Sequence, residues 1–417
     1  AAISYGELSS MFPKAGGQYT YITEIFGKMT GFLYGWGLFT VIQTGTIAAV
    51  AMAFGKFTAY LGPALNDSAP LFQNGGFKIT WIQILAIFII ILLTYINTKG
   101  LKNGKILQDL FTTSKILALL GIIIFGFILV KNSQWSGNMS FNWNAFQDFG
   151  QEVGNDLVPT GWKSIGGITL LGGIAAAMVG SVFSSVAWEN VTFVSGEIEN
   201  PKKNVVKSMV LGTIVVMVLY MLVNFVYLHA LDRNGIAFAD KNRPAVAASE
   251  VIFGSIGTII MAVLVMVSTF GCINGLVLAG ARVFQTMAKD GLFFKSAIEN
   301  NQNNVPGKSL WMQGIWASVL ALSGQYGDLL DMISFVIVLF YMITVFGVIY
   351  LRIKKPNLER PYKTWLYPVT PILYLIIGTA FCALLIFFKP QYTWPGFILI
   401  LLGLPVYLFI NRKNKIE

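Results

Sequence analysis

Ten stretches of this chain are apolar for so long that water cannot be their solvent. Their approximate limits are 31–61, 79–98, 108–130, 167–195, 208–231, 251–284, 309–325, 328–351, 366–388 and 393–410. Runs of about 18 or more apolar residues read as membrane helices. In hydrocarbon a backbone must bond to itself, so helices are the structure such runs can adopt. Composition agrees: 55% of the residues are hydrophobic and only 12% charged. The reading is an all-α polytopic membrane protein, one transmembrane domain over residues 1–417.

The formal charge of +10 raises the question of a nucleic-acid partner. None is expected, because the basic residues sit between apolar blocks and form no docking face. Counted on alternate sides, 20 Lys and Arg fall on one side and 8 on the other, with Lys115 left over from the 29. By the positive-inside rule the C-terminus is cytoplasmic, in the inner (plasma) membrane. Cys272 and Cys382, the two cysteines, lie inside apolar blocks and offer no disulfide framework. His229 is the single histidine, so a histidine-based metal cluster is excluded. The first residues, AAISYGEL, look like the tail of a helix that began earlier, and the chain is expected to lack its natural N-terminus.

Two spans are not simple. Residues 167–195 exceed the roughly 20 needed to cross. Their centre reads SVFSSVAWENV, Ser181 to Val191, and is preceded by Gly166, Gly167, Gly172, Gly173 and Gly180. One reading is a helix broken near Phe183–Trp188. A break frees carbonyls at the end of one half and N–H groups at the start of the next, which suits a zwitterion. The other reading is a straight helix whose serines bond back to the preceding turn. The second span carries STFGCINGLVLAGAR, Ser268 to Arg282, where Gly271, Gly275, Ala279 and Gly280 permit close helix packing. Ser268 and Asn274 then either glue helices together or, for Asn274, line a site. Tyr220 and Asn224 are weaker candidates to border that site, and Glu7 reads as a structural bond near the end of the first helix. KKPNLERPYK reads as a solvated loop.

Several segments resemble the amino acid–polyamine–organocation superfamily of permeases, and within it the L-type amino acid transporter branch. They are SYGELSSMFPKAGGQYTYITEIFG (Ser4–Gly27), LQDLFTTSKILAL (Leu107–Leu119), FSSVAWENVTFVSGEIENPKKNV (Phe183–Val205), LVNFVYLHAL, STFGCINGLVLAGARVFQTMAKDGLFF and RIKKPNLERPYK (Arg352–Lys363). The resemblance covers essentially the whole chain in order. It implies a LeuT-like fold of inverted five-helix repeats plus two helices, with the first and sixth helices broken around the substrate. By the same resemblance this chain begins inside the second helix. The first helix and the start of the second, with half the expected substrate site, are missing from it.

The resemblance also implies roles. Phe183 matches an aromatic gate over the substrate. The main-chain carbonyls at Phe183, Ser184 and Val186 fall where the substrate amine is received, and Trp188 matches the family's tryptophan. Ser185 stands where an aromatic is frequent and Val186 where glycine is frequent. Glu189 stands where neutral residues are common; it could favour a cation, couple a proton or bond a neighbouring helix. Lys115 lies in the apolar stretch TTSKILALLGIIIFGFILV. It could snorkel to the interface or pair with Asp109, although six residues apart on a helix they face opposite sides. The resemblance gives a third role: a lysine bridging the first and eighth helices where related transporters hold sodium, with Ser268 or Cys272 as partners. Sodium-independent transport would follow.

The sequence therefore points to a secondary transporter of neutral L-amino acids, working by alternating access. Exchange or uniport is preferred to proton symport. A carrier of cationic amino acids or polyamines is the alternative that Glu189 raises, and an amino-acid-binding membrane sensor is the alternative of another class. The partners are the amino acid and the lipid bilayer. No cofactor, metal or obligatory protein partner is implied. No acid–base or filter-like constellation recommends an enzyme or a channel.

Overall fold

A computed structural model describes residues 1–62, 70–74, 77–140, 145–153, 156–240, 243–323 and 326–416. The chain begins with α1 (Ala2–Met11) and the short α2 (Gln18–Phe26). Next, α3 (Lys28–Gly37) passes through a π-helical turn, Leu38–Ile42, into α4 (Gln43–Thr58). A small hairpin, β1 (Phe72–Asn74) and β2 (Phe77–Ile79), leads into α5 (Trp81–Thr98) and α6 (Leu101–Leu129). Outside the helices, α7 (Trp135–Met139) and a second antiparallel hairpin, β3 (Phe146–Val153) with β4 (Asp156–Ser164), occupy the long loop before α8 (Gly167–Ser184). The chain continues through α9 (Pro201–Ala230), α10 (Arg233–Ala237), α11 (Pro244–Phe253), α12 (Gly257–Lys289) and α13 (Gly307–Ser323). It ends with α14 (Tyr326–Lys354), α15 (Val369–Phe388), α16 (Pro390–Leu401) and α17 (Gly403–Ile416).

Among the described residues, nine helices are long and apolar enough to cross a membrane. The tenth expected span, 309–325, is α13, whose 17 residues reach only about 26 Å; positions 324 and 325 lie outside the described residues, as does Lys241. Two expected spans are subdivided. The 251–284 span is interrupted at Gly254 (φ 70°), so α11 and α12 are separate helices. The 393–410 span changes helix at Leu402.

Burial separates a central pair of spans from a peripheral set. In the span containing α3 and α4, 83% of the most apolar window is buried, and in α14 67%, against 17% for α6 and α8. The core joins Ile47 to Ala51 of α4, Ile273, Val277 and Phe284 of α12, and Ile333 to Val338 of α14. Here α12 is the piece the others close on, and its glycines explain how. A Cβ at Gly280 would stand 2.6 Å from Gln313 Oε1 and 2.7 Å from Gln43 Cγ. Without it, Gln43 Nε2 donates to the Leu276 carbonyl (2.7 Å) and Gln313 Nε2 to the Val277 carbonyl (2.6 Å). At Gly275 the same absence admits Gln108 of α6. The small residues thus serve polar ties as well as close packing.

Most of the segment Arg352–Lys363 is exposed, as its composition predicts, but Arg360 turns inward. Arg360 is 8% exposed and its guanidinium donates to the carbonyls of Leu351, Lys355, Pro356 and Leu358. It also pairs with Glu7 at 3.3 Å. Glu7, 1% exposed, accepts two bonds from Arg352 (2.9 and 2.6 Å) and one from the Thr364 N–H (2.8 Å). One carboxylate on α1 therefore fastens α14 and the loop after it, and paired, bidentate geometry is what makes a buried charge tolerable.

Glu7→Gln removes that charge and leaves two guanidinium groups facing an amide. The expected loss is on the order of 3 kcal/mol, read as a clear fall in melting temperature of the purified protein in detergent; an unchanged melt would show that the network is dispensable. Gly280→Leu displaces both glutamines and is expected to abolish monodisperse protein on size exclusion, whereas Gly212→Leu, at a glycine with nothing within 4 Å of the added carbon, leaves the elution profile intact.

Candidate functional site

The break in α8 is local and does not use glycine. The helix ends at Ser184; the Ser185 N–H turns back to the Val182 carbonyl (3.1 Å) and the Val186 N–H to the Phe183 carbonyl (3.3 Å). Ala187 then adopts a left-handed conformation (φ 68°) that a residue with a Cβ rarely takes. The chain resumes as a 3-10 turn, Trp188–Thr192. Ser184 and Ser185 both bond back to the Ser181 carbonyl, at 3.0 and 2.7 Å. Back-bonding serines and a broken helix therefore occur together: the hydroxyls satisfy a carbonyl of the last turn where the backbone ladder stops.

The three carbonyls expected to receive an amine are not equivalent. The Phe183 carbonyl accepts the Val186 N–H, and the Ser184 carbonyl accepts the Tyr220 hydroxyl from α9 at 3.0 Å. Among the described residues no donor is bonded to the Val186 carbonyl. Each carbonyl keeps a second lone pair for a ligand. Phe183, Val186 and Trp188 pack at the margin of the core, whereas Ser184 and Ser185 are exposed.

Lys115 sits where α6 crosses α12. A Cβ at Gly271 would lie 2.5 Å from Phe111 Cβ, so the missing side chain of Gly271 is what admits Phe111, and the Lys115 stem passes at contact distance, 3.4 Å from that point to Cε. The Phe111 and Phe270 rings, 4.6 Å apart, close the crossing beside it. Cys272 lies within the electrostatic reach of both Lys115 and Tyr220, so α6, α9 and α12 converge there. Of the two expected partners, Cys272 is near; among the described residues no hydrogen bond links Ser268 to the ammonium. No described side chain hydrogen-bonds or pairs with Lys115.

Asn274 joins three helices. It is fully buried; Asn97 of α5 donates to its Oδ1 (2.9 Å) and its Nδ2 donates to Gln108 of α6 (3.3 Å). Its amide thereby ties α5, α6 and α12 together. Asn224 bonds within its own helix, to the Tyr220 carbonyl at 2.8 Å.

Glu189 is 3% exposed, on the 3-10 turn after the break. Tyr5 of α1, Tyr34 of α3, Tyr341 of α14 and Tyr374 of α15 lie within reach of its charge. Trp188 stands edge-on to Tyr5 (4.8 Å) and tilted against Tyr341 (5.4 Å), which are 5.9 Å from each other. The tyrosines come from four distant segments with no local spacing, so no pattern in the sequence links them to Glu189. A charge within an apolar span was the one available signal.

A protein-family model described as amino acid permease matches residues 1–408. The chain is 29% identical over 411 residues to the large neutral amino acids transporter small subunit 2 of Mus musculus, covering 97% of this chain and 70% of that protein. It is 28% identical over 419 residues to the serine/threonine exchanger SteT of Bacillus subtilis (strain 168), covering 99% and 85% respectively. Similarity to the Asc-type amino acid transporter 1 of Mus musculus is 28% over 418 residues, 99% of this chain and 73% of that one. The chain belongs to the amino acid permease family, and it is a multi-pass membrane protein that transports amino acids.

Proposed function

We propose that the protein exchanges neutral L-amino acids across the plasma membrane by alternating access, without sodium. The relatives carry large neutral amino acids, serine and threonine by their names, which supports neutral substrates. The observation that carries sodium independence is Lys115, whose stem passes over Gly271 at the crossing of α6 and α12. An ammonium there supplies one positive charge and three donors, the same tie a bound cation would make.

The substrate's ammonium meets the carbonyl end of α8 at Phe183, Ser184 and Val186, where the helix dipole and the carbonyls' remaining lone pairs favour positive charge. Phe183 closes over it. Ser185 and Val186 shape the side-chain pocket, wider at one point and narrower at the other than in most of the family. Tyr220 holds the Ser184 carbonyl in place between turnovers. The C-terminus lies in the cytoplasm, on the side richer in Lys and Arg. One relative is named a small subunit; in this chain Cys272 and Cys382 both lie within helices, which supports transport without a disulfide-linked partner. The reading for cationic amino acids or polyamines rests on Glu189. Its enclosure by aromatic rings, rather than exposure at the break, speaks against a role in holding a substrate's second charge.

In proteoliposomes loaded with unlabelled serine, uptake of labelled serine or leucine is expected to be equal in sodium and in choline, and to fall at least tenfold in Lys115→Ala. A requirement for sodium would overturn the role given to Lys115, and uptake confined to lysine or putrescine would overturn the substrate class. Tyr220→Phe removes one neutral hydrogen bond, worth about 1 kcal/mol. Its expected signature is a KM raised about fivefold with the maximal rate and thermal melt retained; a KM at the wild-type value would show that the bond does not position the break.

A further inference from the structure

Glu189 and its neighbours are a buried polar cluster that transport of a neutral amino acid does not require. Its Oε2 has no hydrogen-bond partner, and neither do the hydroxyls of Tyr5, Tyr34 and Tyr341. All four side chains are at most 4% exposed. The Tyr341 hydroxyl approaches the carboxyl without reaching hydrogen-bond geometry. Unpartnered buried polar atoms are rare one at a time, and a carboxyl oxygen left unpartnered among such phenols calls for something that completes it.

The groups on every packed element decide what that is. On α1 there is Tyr5, while Glu7 is consumed by Arg352, Arg360 and Thr364. From α3, α14 and α15 come the neutral phenols Tyr34, Tyr341 and Tyr374. On α12, Arg282 is paired with Glu197 at 2.7 Å, and Cys272 lies by Lys115. On α9, Lys202, Lys203 and Lys207 are exposed on its first turns. Among the described residues none of these cations pairs with Glu189. An ionised carboxylate in that setting has no counter-charge and too few donors. A protonated one is neutral, can donate to one phenol and can accept from another.

We propose that Glu189 is a proton-carrying site, protonated in the arrangement seen here and releasing its proton to water when the Trp188–Thr192 turn is exposed to the other side. The inference rests on the transport reading above and supplies its driving ion. Because the site lies directly after the break, the same motion that moves the substrate opens and closes it. The proton binds as a carboxyl O–H on one face of the membrane and leaves to water on the other, one per cycle. One-for-one exchange, in which the carrier returns loaded, moves no net protons. Net uptake into vesicles lacking internal amino acid takes one proton with each substrate.

The test uses the full-length protein in proteoliposomes with a pH-sensitive dye trapped inside and the membrane potential clamped. With an empty lumen and an external pH about one unit lower, labelled serine is expected to accumulate up to about tenfold, with luminal acidification in step. Glu189→Gln, the neutral mimic, is expected to lose both accumulation and acidification, and Glu189→Asp, which keeps a carboxyl, to recover them. Accumulation that persists in Glu189→Gln would overturn the proposal. So would wild-type vesicles that exchange labelled for internal serine yet never accumulate it under the gradient, and in that case the transport reading stands. Absence of exchange in wild type would remove both readings. Should Glu189→Gln not fold, Tyr341→Phe serves instead: its accumulation is expected to lose its wild-type dependence on external pH while serine exchange persists, and an unaltered pH profile would count against the site.

Discussion

Two glutamines reaching past one glycine hold the arrangement on which the rest depends. Gln43 and Gln313 bond the Leu276 and Val277 carbonyls over Gly280, and Asn97, Asn274 and Gln108 repeat the device one and two turns earlier. In a membrane, apolar helices gain little from meeting each other rather than lipid, so close packing and interhelical hydrogen bonds decide which surfaces stay together. These bonds fix α4, α5, α6 and α13 to α12. The Lys115 stem, running over Gly271 on the same helix, is thereby placed by a rigid support. The residues of the break receive no such ties: Ser184 and Ser185 satisfy themselves locally, and the bond from α9 is a single hydroxyl. A firm wall beside a lightly held break is the mechanical asymmetry that alternating access needs.

What could be read from the sequence follows the length scale of the signal. Helices such as α5, α9 and α15 announce themselves because a bilayer-spanning run is a long, redundant pattern. The break was legible at Ser181–Val191 because polar residues in hydrocarbon are costly and few. Its mechanism was not, since the five glycines precede it and Ala187 carries the left-handed turn. Gly254 splits α11 from α12 without interrupting the apolar pattern, so hydropathy cannot see it. The π-helical turn at Leu38–Ile42 is likewise invisible to a 3.6-residue period. Arg360 shows the reverse error. A stretch rich in Lys, Arg, Pro and Asn looks solvated, yet the guanidinium is folded against four carbonyls and a carboxylate brought from the far end of the chain.

Candidate site residues divide by the same rule. Those near one another in sequence, Phe183 to Glu189, were found together because they are together. Lys115 and Cys272 were connected through the resemblance alone, and the structure brings them to one crossing. Asn274 shows why a polar residue in an apolar span is an ambiguous sign: gluing helices and binding substrate demand the same chemistry, and only the identity of its partners separates them. Tyr5, Tyr34 and Tyr341 carried no sign at all, because a tyrosine in a membrane helix is ordinary until its hydroxyl is seen to lack a partner.

The two buried glutamates make the sharper comparison. Glu7 and Glu189 are exposed by 1% and 3%, so both have left water almost completely. Around Glu7 the fold has assembled two guanidinium groups and a backbone N–H, which is the environment of an ionised carboxylate held permanently in place. Around Glu189 it has assembled phenols and an indole, which can solvate a proton's movement but cannot neutralise a charge. One protein supplying opposite environments to the same functional group is the usual mark of opposite duties. The paired carboxylate sits where α1, α14 and the loop after it must not separate. The unpaired one sits directly after the break in α8. A group that fastened helices there would resist the motion, whereas a group whose charge depends on exposure is changed by it.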